Sequence, residues 1–211
     1  MHYRLIALAA VILLLDVASQ SQSKAAPVAK PSTAPSQNAQ IYRNSTYGFR
    51  YQIPFGWVER SKQMQEGSGD SKGEVLLAIF ERPPEATGNT VNSAVVIAAE
   101  SVASYPGLKK AEDYLVPLTE LATSNGFQSA GDPSVVEVDG RELVRADFTK
   151  QIGAKKSDID AGDGQLTMRQ ATLVLLAHHQ IVSFTFIADS EDELDKLVKN
   201  LHFGVAKPAA H

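Results

Sequence analysis

The sequence contains no cysteine. That single absence removes disulfide scaffolds, thiolate zinc sites, iron–sulfur clusters and cysteine nucleophiles together. It also excludes a lipid-modified cysteine behind the leader described below. No run of lysine and arginine exceeds two residues, and the net charge is −4. Nucleic-acid binders show a basic patch or stripe, so nucleic acid is not an expected partner. No apolar run reaches the roughly 20 residues that a bilayer-spanning helix needs. No Gly-x-Ser-x-Gly elbow, phosphate loop or dinucleotide fingerprint occurs. Gly67-Ser68-Gly69 lacks the elbow spacing. What remains is 211 residues, 44% hydrophobic and 21% charged, the balance of a globular chain with one core that must be stable without cross-links.

The chain opens with a basic start, Met1–Arg4, and an apolar run from Leu5 to Leu15 that ends at Asp16. A run of that length followed by small residues (Val17-Ala18-Ser19) has the form of a secretory signal, with residues 1–19 as the segment removed. Residues 20–40 are Ser, Gln, Ala, Pro and Lys, too poor in large apolar side chains to offset their ordering entropy. They read as a flexible tether. The folded part is expected at 41–204, with a frayed tail at 205–211. The localisation expected from the leader is extracytoplasmic, periplasmic or secreted.

The organising stretch is Tyr42–Trp57. A turn around Asn44, Ser45 and Gly48 leads into a strand with Phe49, Tyr51 and Ile53 on one face, ended by Pro54 and Gly56. Glu59–Gly73 is polar and reads as a loop. Glu74–Arg82 and Ser93–Ser101 are continuous apolar runs, as in strands covered on both faces. Ala111, Tyr114, Leu115, Leu118, Leu121 and Ala122 recur at helical spacing before the stop Asn125-Gly126. Pro117 within that pattern either kinks the helix or places its first turn closer to Asp113. Asp139-Gly140, between Val135–Val138 and Leu143–Phe148, is the dipeptide of a two-residue hairpin turn. Val144, Ala146 and Phe148 share one face of the second strand, with Arg145 and Asp147 on the other.

After a polar loop at Lys150–Gly164, Leu166–Ala177 and Ile181–Ala188 read as strands joined around His178-His179-Gln180. Val182, Phe184 and Phe186 face one way; Ile181, Ser183, Thr185 and Ile187 face the other. Ser190-x-x-Glu193 has the form of a capping box, and Leu194, Leu197, Val198 and Leu201 form a stripe closed by Phe203-Gly204. The pattern predicts an α+β fold. It is an α/β/α sandwich whose mostly antiparallel central sheet, of about six or seven strands, is flanked by two main helices.

Asn44-x-x-Tyr47-Gly48-Phe49 leading to Ile53-Pro54-x-Gly56-Trp57 resembles the opening of PsbP-like domains. So do the Asp139-Gly140-Arg141 hairpin with Arg145, and Ser190-x-x-Glu193-Leu194-x-x-Leu197-x-x-x-Leu201-x-Phe203 as their closing helix. The resemblance covers Ile41 to Phe203. It implies an antiparallel sheet between helices and binding in place of catalysis, and it carries no metal or catalytic residue onto this chain. Function varies too widely on the fold for more to transfer.

Candidate chemistry is sparse. Asp158-x-Asp160-x-x-Asp163-Gly164 approaches a calcium loop, but the fifth position is Gly162, the sixth is Asp163 and the twelfth is Arg169, so a solvated loop is the better reading. His178 and His179 are adjacent, so on a strand they would point to opposite faces; a turn suits them better. The remaining histidine of the folded part, His202, ends the last helix. No catalytic, cofactor or metal residue is assigned. Trp57, Tyr42, Tyr47 and Tyr51 concentrate aromatics at one sheet edge, either lining a ligand groove or capping the core. The loops Arg60–Gly73 and Lys150–Gly164 are the other contact surfaces expected. The expected function is non-catalytic docking onto a protein or assembly. Its rivals are a small-molecule or lipid carrier with a pocket between sheet and helix, and an extracytoplasmic hydrolase.

Overall fold

The computed structural model describes residues 40–67, 73–86, 90–153 and 165–204. The leader, most of the tether, the Asp158–Asp163 motif and the tail lie outside the described residues.

Two sheets carry the fold. The larger has the strand order β3-β4-β5-β10-β9-β8-β6, with β7 also pairing β8; the smaller has the order β1-β2-β11. Here β1 is Gln40–Asn44, β2 Phe49–Ile53, β3 Val58–Glu59, β4 Gly73–Phe80, β5 Ala94–Ser101, β6 Gln128–Ser129 and β7 Ser134–Val138. The rest are β8 Arg141–Gly153, β9 Gln165–Ala177, β10 Gln180–Ala188 and β11 Leu201–Phe203. Every strand pairing among the described residues is antiparallel. Three α-helices are described: α1 Ser61–Gly67, α2 Leu115–Ser124 and α3 Glu191–Lys199.

The large sheet buries both faces, as its unbroken apolar runs require. On one face, Val75, Ala78, Val96, Val144, Phe148, Ile181 and Ile187 pack with Met64 of α1 and Leu115, Leu118 and Ala122 of α2. On the other, Leu77, Ile97, Leu173, Phe184 and Phe186 meet Phe49, Tyr51 and Phe203 of the small sheet and Leu194 and Leu197 of α3. The α/β/α plan thus holds, with the second outer layer shared between α3 and a three-stranded sheet. Between Val75 and Leu77 the register of β4 shifts, so Leu76 and Leu77 both join the second cluster, the mark of a bulge.

Local chemistry explains most boundaries. Asp139 (φ 48°) and Gly140 (φ 80°) form the expected two-residue hairpin with both residues left-handed. His178 (φ 51°) and His179 (φ 60°) do the same without a glycine. Pro117 sits in the first turn of α2, where its missing N–H would have had no partner in any case. A 3-10 turn at Ala111–Tyr114 supplies the approach. Ser190 Oγ accepts the Glu193 N–H at 3.3 Å, so half of the capping box forms. The Glu193 carboxylate accepts instead from Ser93 Oγ at 2.7 Å, tying α3 to the start of β5.

Four expectations are corrected. Glu59–Gly73 is not all loop: Ser61–Gly67 is helix α1, with Met64 buried against the sheet and Ser61 Oγ accepting the Ala78 N–H at 2.9 Å. Lys150–Gly164 is loop only in part, because β8 runs on to Gly153 and pairs with β9. Phe203 does not close a helix; α3 ends at Lys199, and Leu201–Phe203 is a strand paired with β2. The strands do not form one sheet: among the described residues eight make the central sheet, and β1, β2 and β11 form a second sheet of three.

Candidate functional site

Beyond β5 the chain folds into a connector that prepares one side of the molecule. Ser101 Oγ accepts the Ala103 N–H at 3.3 Å and caps a 3-10 turn at Val102–Ser104. Pro106-Gly107 then reverses the chain. The Asp113 carboxylate accepts the N–H groups of Lys109 (2.8 Å) and Lys110 (3.0 Å), which holds the Ala111–Tyr114 turn and draws that carboxyl below the usual range.

Two tyrosines pin this connector to the sheet. Tyr105 and Tyr114 both donate their hydroxyls to the carboxyl of Glu100, the Tyr114 bond being 2.9 Å. Their rings meet edge to face at 5.3 Å. Glu100 is only 4% exposed, and burial pushes its carboxyl above the ordinary range against the opposing pull of the two hydroxyls. Burial also raises both tyrosines, with the Glu100 charge adding to it. An unpaired carboxylate buried there would be prohibitive; a carboxyl gripped by two phenols is a structural clasp.

Over this clasp lies open surface. A groove of about 730 Å³ runs along α2, lined by Leu115, Val116, Thr119, Glu120, Thr123 and Ser124. A second hollow of about 350 Å³ adjoins it at Val116 and Glu120 and reaches Tyr105, Pro106, Leu108 and Pro117. Val116 is 64% exposed, so a β-branched side chain stands in solvent in the middle of this surface. The α2 backbone beneath it is fixed by Leu118 and Ala122 in the core and by Gly126 (φ 82°) at its end. What results is a rigid, shallow, mostly apolar trough with two acids, Asp113 and Glu120, on its rim.

The residues singled out from sequence fall elsewhere. Tyr51 is fully buried, and its hydroxyl donates to Leu197 O at 3.0 Å. Tyr42 tilts against Phe49 at 5.9 Å, Tyr47 against His178 at 6.3 Å, and Trp57 packs on the same core. These rings cap the core and do not converge on a groove; Phe55, in the turn before Trp57, is 71% exposed. His178 and His179 occupy their turn, and His202 Nδ1 lies 3.2 Å from Asp139 Oδ2. Among the described residues no group of three or more metal-ligating side chains converges, and no helix is long and apolar enough to cross a membrane. The clasp went unread in the sequence. Its signal was the register of β5, where Glu100 continues the face of Ala94, Val96 and Ala98 and so must enter the helix-covered core.

No family model matches the chain, and no curated protein matches it. Solved structures with a similar fold include a cyanobacterial PsbP (CyanoP) from Synechocystis. It is 15% identical at a TM-score of 0.47, over 84% of this chain and 99% of that one. LpqN, involved in cell envelope biogenesis of Mycobacterium tuberculosis, is 14% identical at a TM-score of 0.41, over 79% and 86%. The Saccharomyces cerevisiae Ran-binding protein Mog1p is 10% identical at 0.42, over 80% and 96%.

Proposed function

We propose that the chain is an exported binding domain that docks onto a protein or larger assembly and makes or breaks no bonds itself. In this reading residues 1–19 direct export, residues 20–40 tether, and residues 41–204 form the docking body. The observation that carries it is the trough along α2. Its centre is an exposed valine on a helix whose other face is locked into the core, and the Glu100 carboxyl, held by two phenols, is sealed beneath it. Apolar surface held rigid and rimmed by polar groups is what protein partners use.

The experiment is a pull-down from an extracytoplasmic fraction with the full chain and with Val116→Glu, a change at a solvent-facing position that the fold tolerates. The wild type should retain a partner that the variant loses. Turnover of generic esters or peptides that His178→Ala abolishes would replace the proposal with hydrolysis. A thermal shift on adding small apolar ligands, with no protein retained, would replace it with a carrier.

A further inference from the structure

The outer face of the small sheet carries an arrangement that the fold does not need. In the register of β1, β2 and β11, Arg43 lies directly opposite Arg50, and Arg50 directly opposite His202. Partners in an antiparallel ladder project to the same side, and here it is the solvent side, since Phe49, Tyr51, Leu201 and Phe203 between them are buried. Two guanidinium groups and an imidazole therefore form a row across three strands, spanning roughly 10 Å at the usual strand spacing. Like charges placed opposite each other destabilise a ladder. Little offsets them. Arg50 donates to a neutral carbonyl, Gly204 O, at 3.1 Å. Only His202 faces a carboxylate, that of Asp139. Among the described residues no carboxylate lies within ion-pairing distance of Arg43 or Arg50. This occurs in a chain whose net charge is −4. One pair along the same face, Ile41 is 45% exposed.

We infer that this face is a second contact surface, and that its occupant is an extended acidic segment of a partner protein. The row is too long for one small anion. An extended segment crossing the strands presents alternate side chains roughly 7 Å apart on one side, within reach of the two long arginine side chains, so its carboxylates can meet Arg43 and Arg50. Arginine suits them by bidentate pairing. An apolar side chain of the same segment meets Ile41. Because α2 covers the opposite face of the large sheet, this surface is separate from the trough, and it stands whether or not the trough is used.

The test is fluorescence anisotropy of the full chain with a labelled glutamate-rich peptide carrying one leucine. Inorganic phosphate and phosphatidylglycerol vesicles serve as the other probes. Peptide binding should weaken at least tenfold when salt rises from about 50 to 500 mM. It should fall at least tenfold in Arg43→Glu and in Arg50→Gln, and stay unchanged in Val116→Glu. The melting temperature of Arg43→Glu should hold or rise, because the opposed charges are gone; lost binding is then not lost folding. Undiminished peptide binding in both arginine variants would overturn the inference, as would no peptide binding by the wild type. Binding to vesicles alone would assign the row to a lipid surface, and binding to phosphate alone to a small anion; each also overturns it. A partner captured by the wild type but retained by Arg43→Glu leaves the trough standing and removes this face.

Discussion

The two faces of the large sheet are built on different principles. The face under the small sheet and α3 is aromatic: Phe49 meets Phe184 edge to face at 5.1 Å, and Phe184 meets Phe203 at 5.9 Å. Among the described residues its polar groups are few: Ser93 at the rim bonds Glu193, and the Tyr51 hydroxyl bonds Leu197 O. The face under α1 and α2 buries Glu100, Gln170, Thr172, Ser183 and Thr185 among smaller apolar residues. Gln170 Nε2 donates to Thr172 Oγ1, which in turn bonds Thr185 at 3.3 Å, while Gln170 Oε1 has no partner. The first face gains its stability mainly from buried area. The second gives up some of that for hydrogen bonds that hold a connector and a helix in one position. The trough is on the outside of the second.

The sharpest way to break the contrast is to cut each face where it is strongest. Phe184→Ala should cost about 3–5 kcal/mol, read from urea unfolding, because it opens a cavity in the aromatic cluster. On the other face, Tyr114→Phe removes no volume yet should cost about 1–3 kcal/mol by leaving the Glu100 carboxyl one donor short. Protease nicking between Tyr105 and Tyr114 should quicken in that variant.

The clasp also gives the second face a pH dependence seated deep in the core. The native carboxyl of Glu100 holds its proton above the ordinary value near 4.5, where the unfolded chain has lost it. Its contribution is therefore full below that value and falls as pH climbs through the raised native one. Urea midpoints taken between about pH 4 and 8 should decline from this source, and Glu100→Gln should flatten the decline. The smallest effect belongs to Gln170→Met. Removing the orphaned oxygen should leave stability unchanged or raise it by up to about 1 kcal/mol, whereas a loss of several would mean that the amide is satisfied after all.

What the sequence could say follows the same division. Asp139-Gly140 was legible because the turn, its φ signs and both strands lie within a dozen residues. The inward set Val182, Phe184 and Phe186 was legible because strand alternation is local. Helix α1 was not, since Ser61–Gly67 buries only Met64 and otherwise looks like loop. Strand β11 was not, because its three residues become a strand only by lying beside β2. Pro117 left two readings open that the Ala111–Tyr114 turn decides. Of the two surfaces, the trough could not be read, since its exposure depends on which face of α2 docks. The arginine row could not be read either, because it exists only in the cross-strand register of segments from opposite ends of the chain.

That last pairing has a bearing on how the molecule is made. Strand β2 has one neighbour close by in sequence and another, Leu201–Phe203, far along the chain, with Gln52 N bonding Asn200 O at 3.0 Å and Gly204 N bonding Gly48 O at 3.0 Å. The opening of the domain thus waits, half-zipped, until Leu201–Phe203 docks beside it, which makes closure of the small sheet a long-range, slow step of folding.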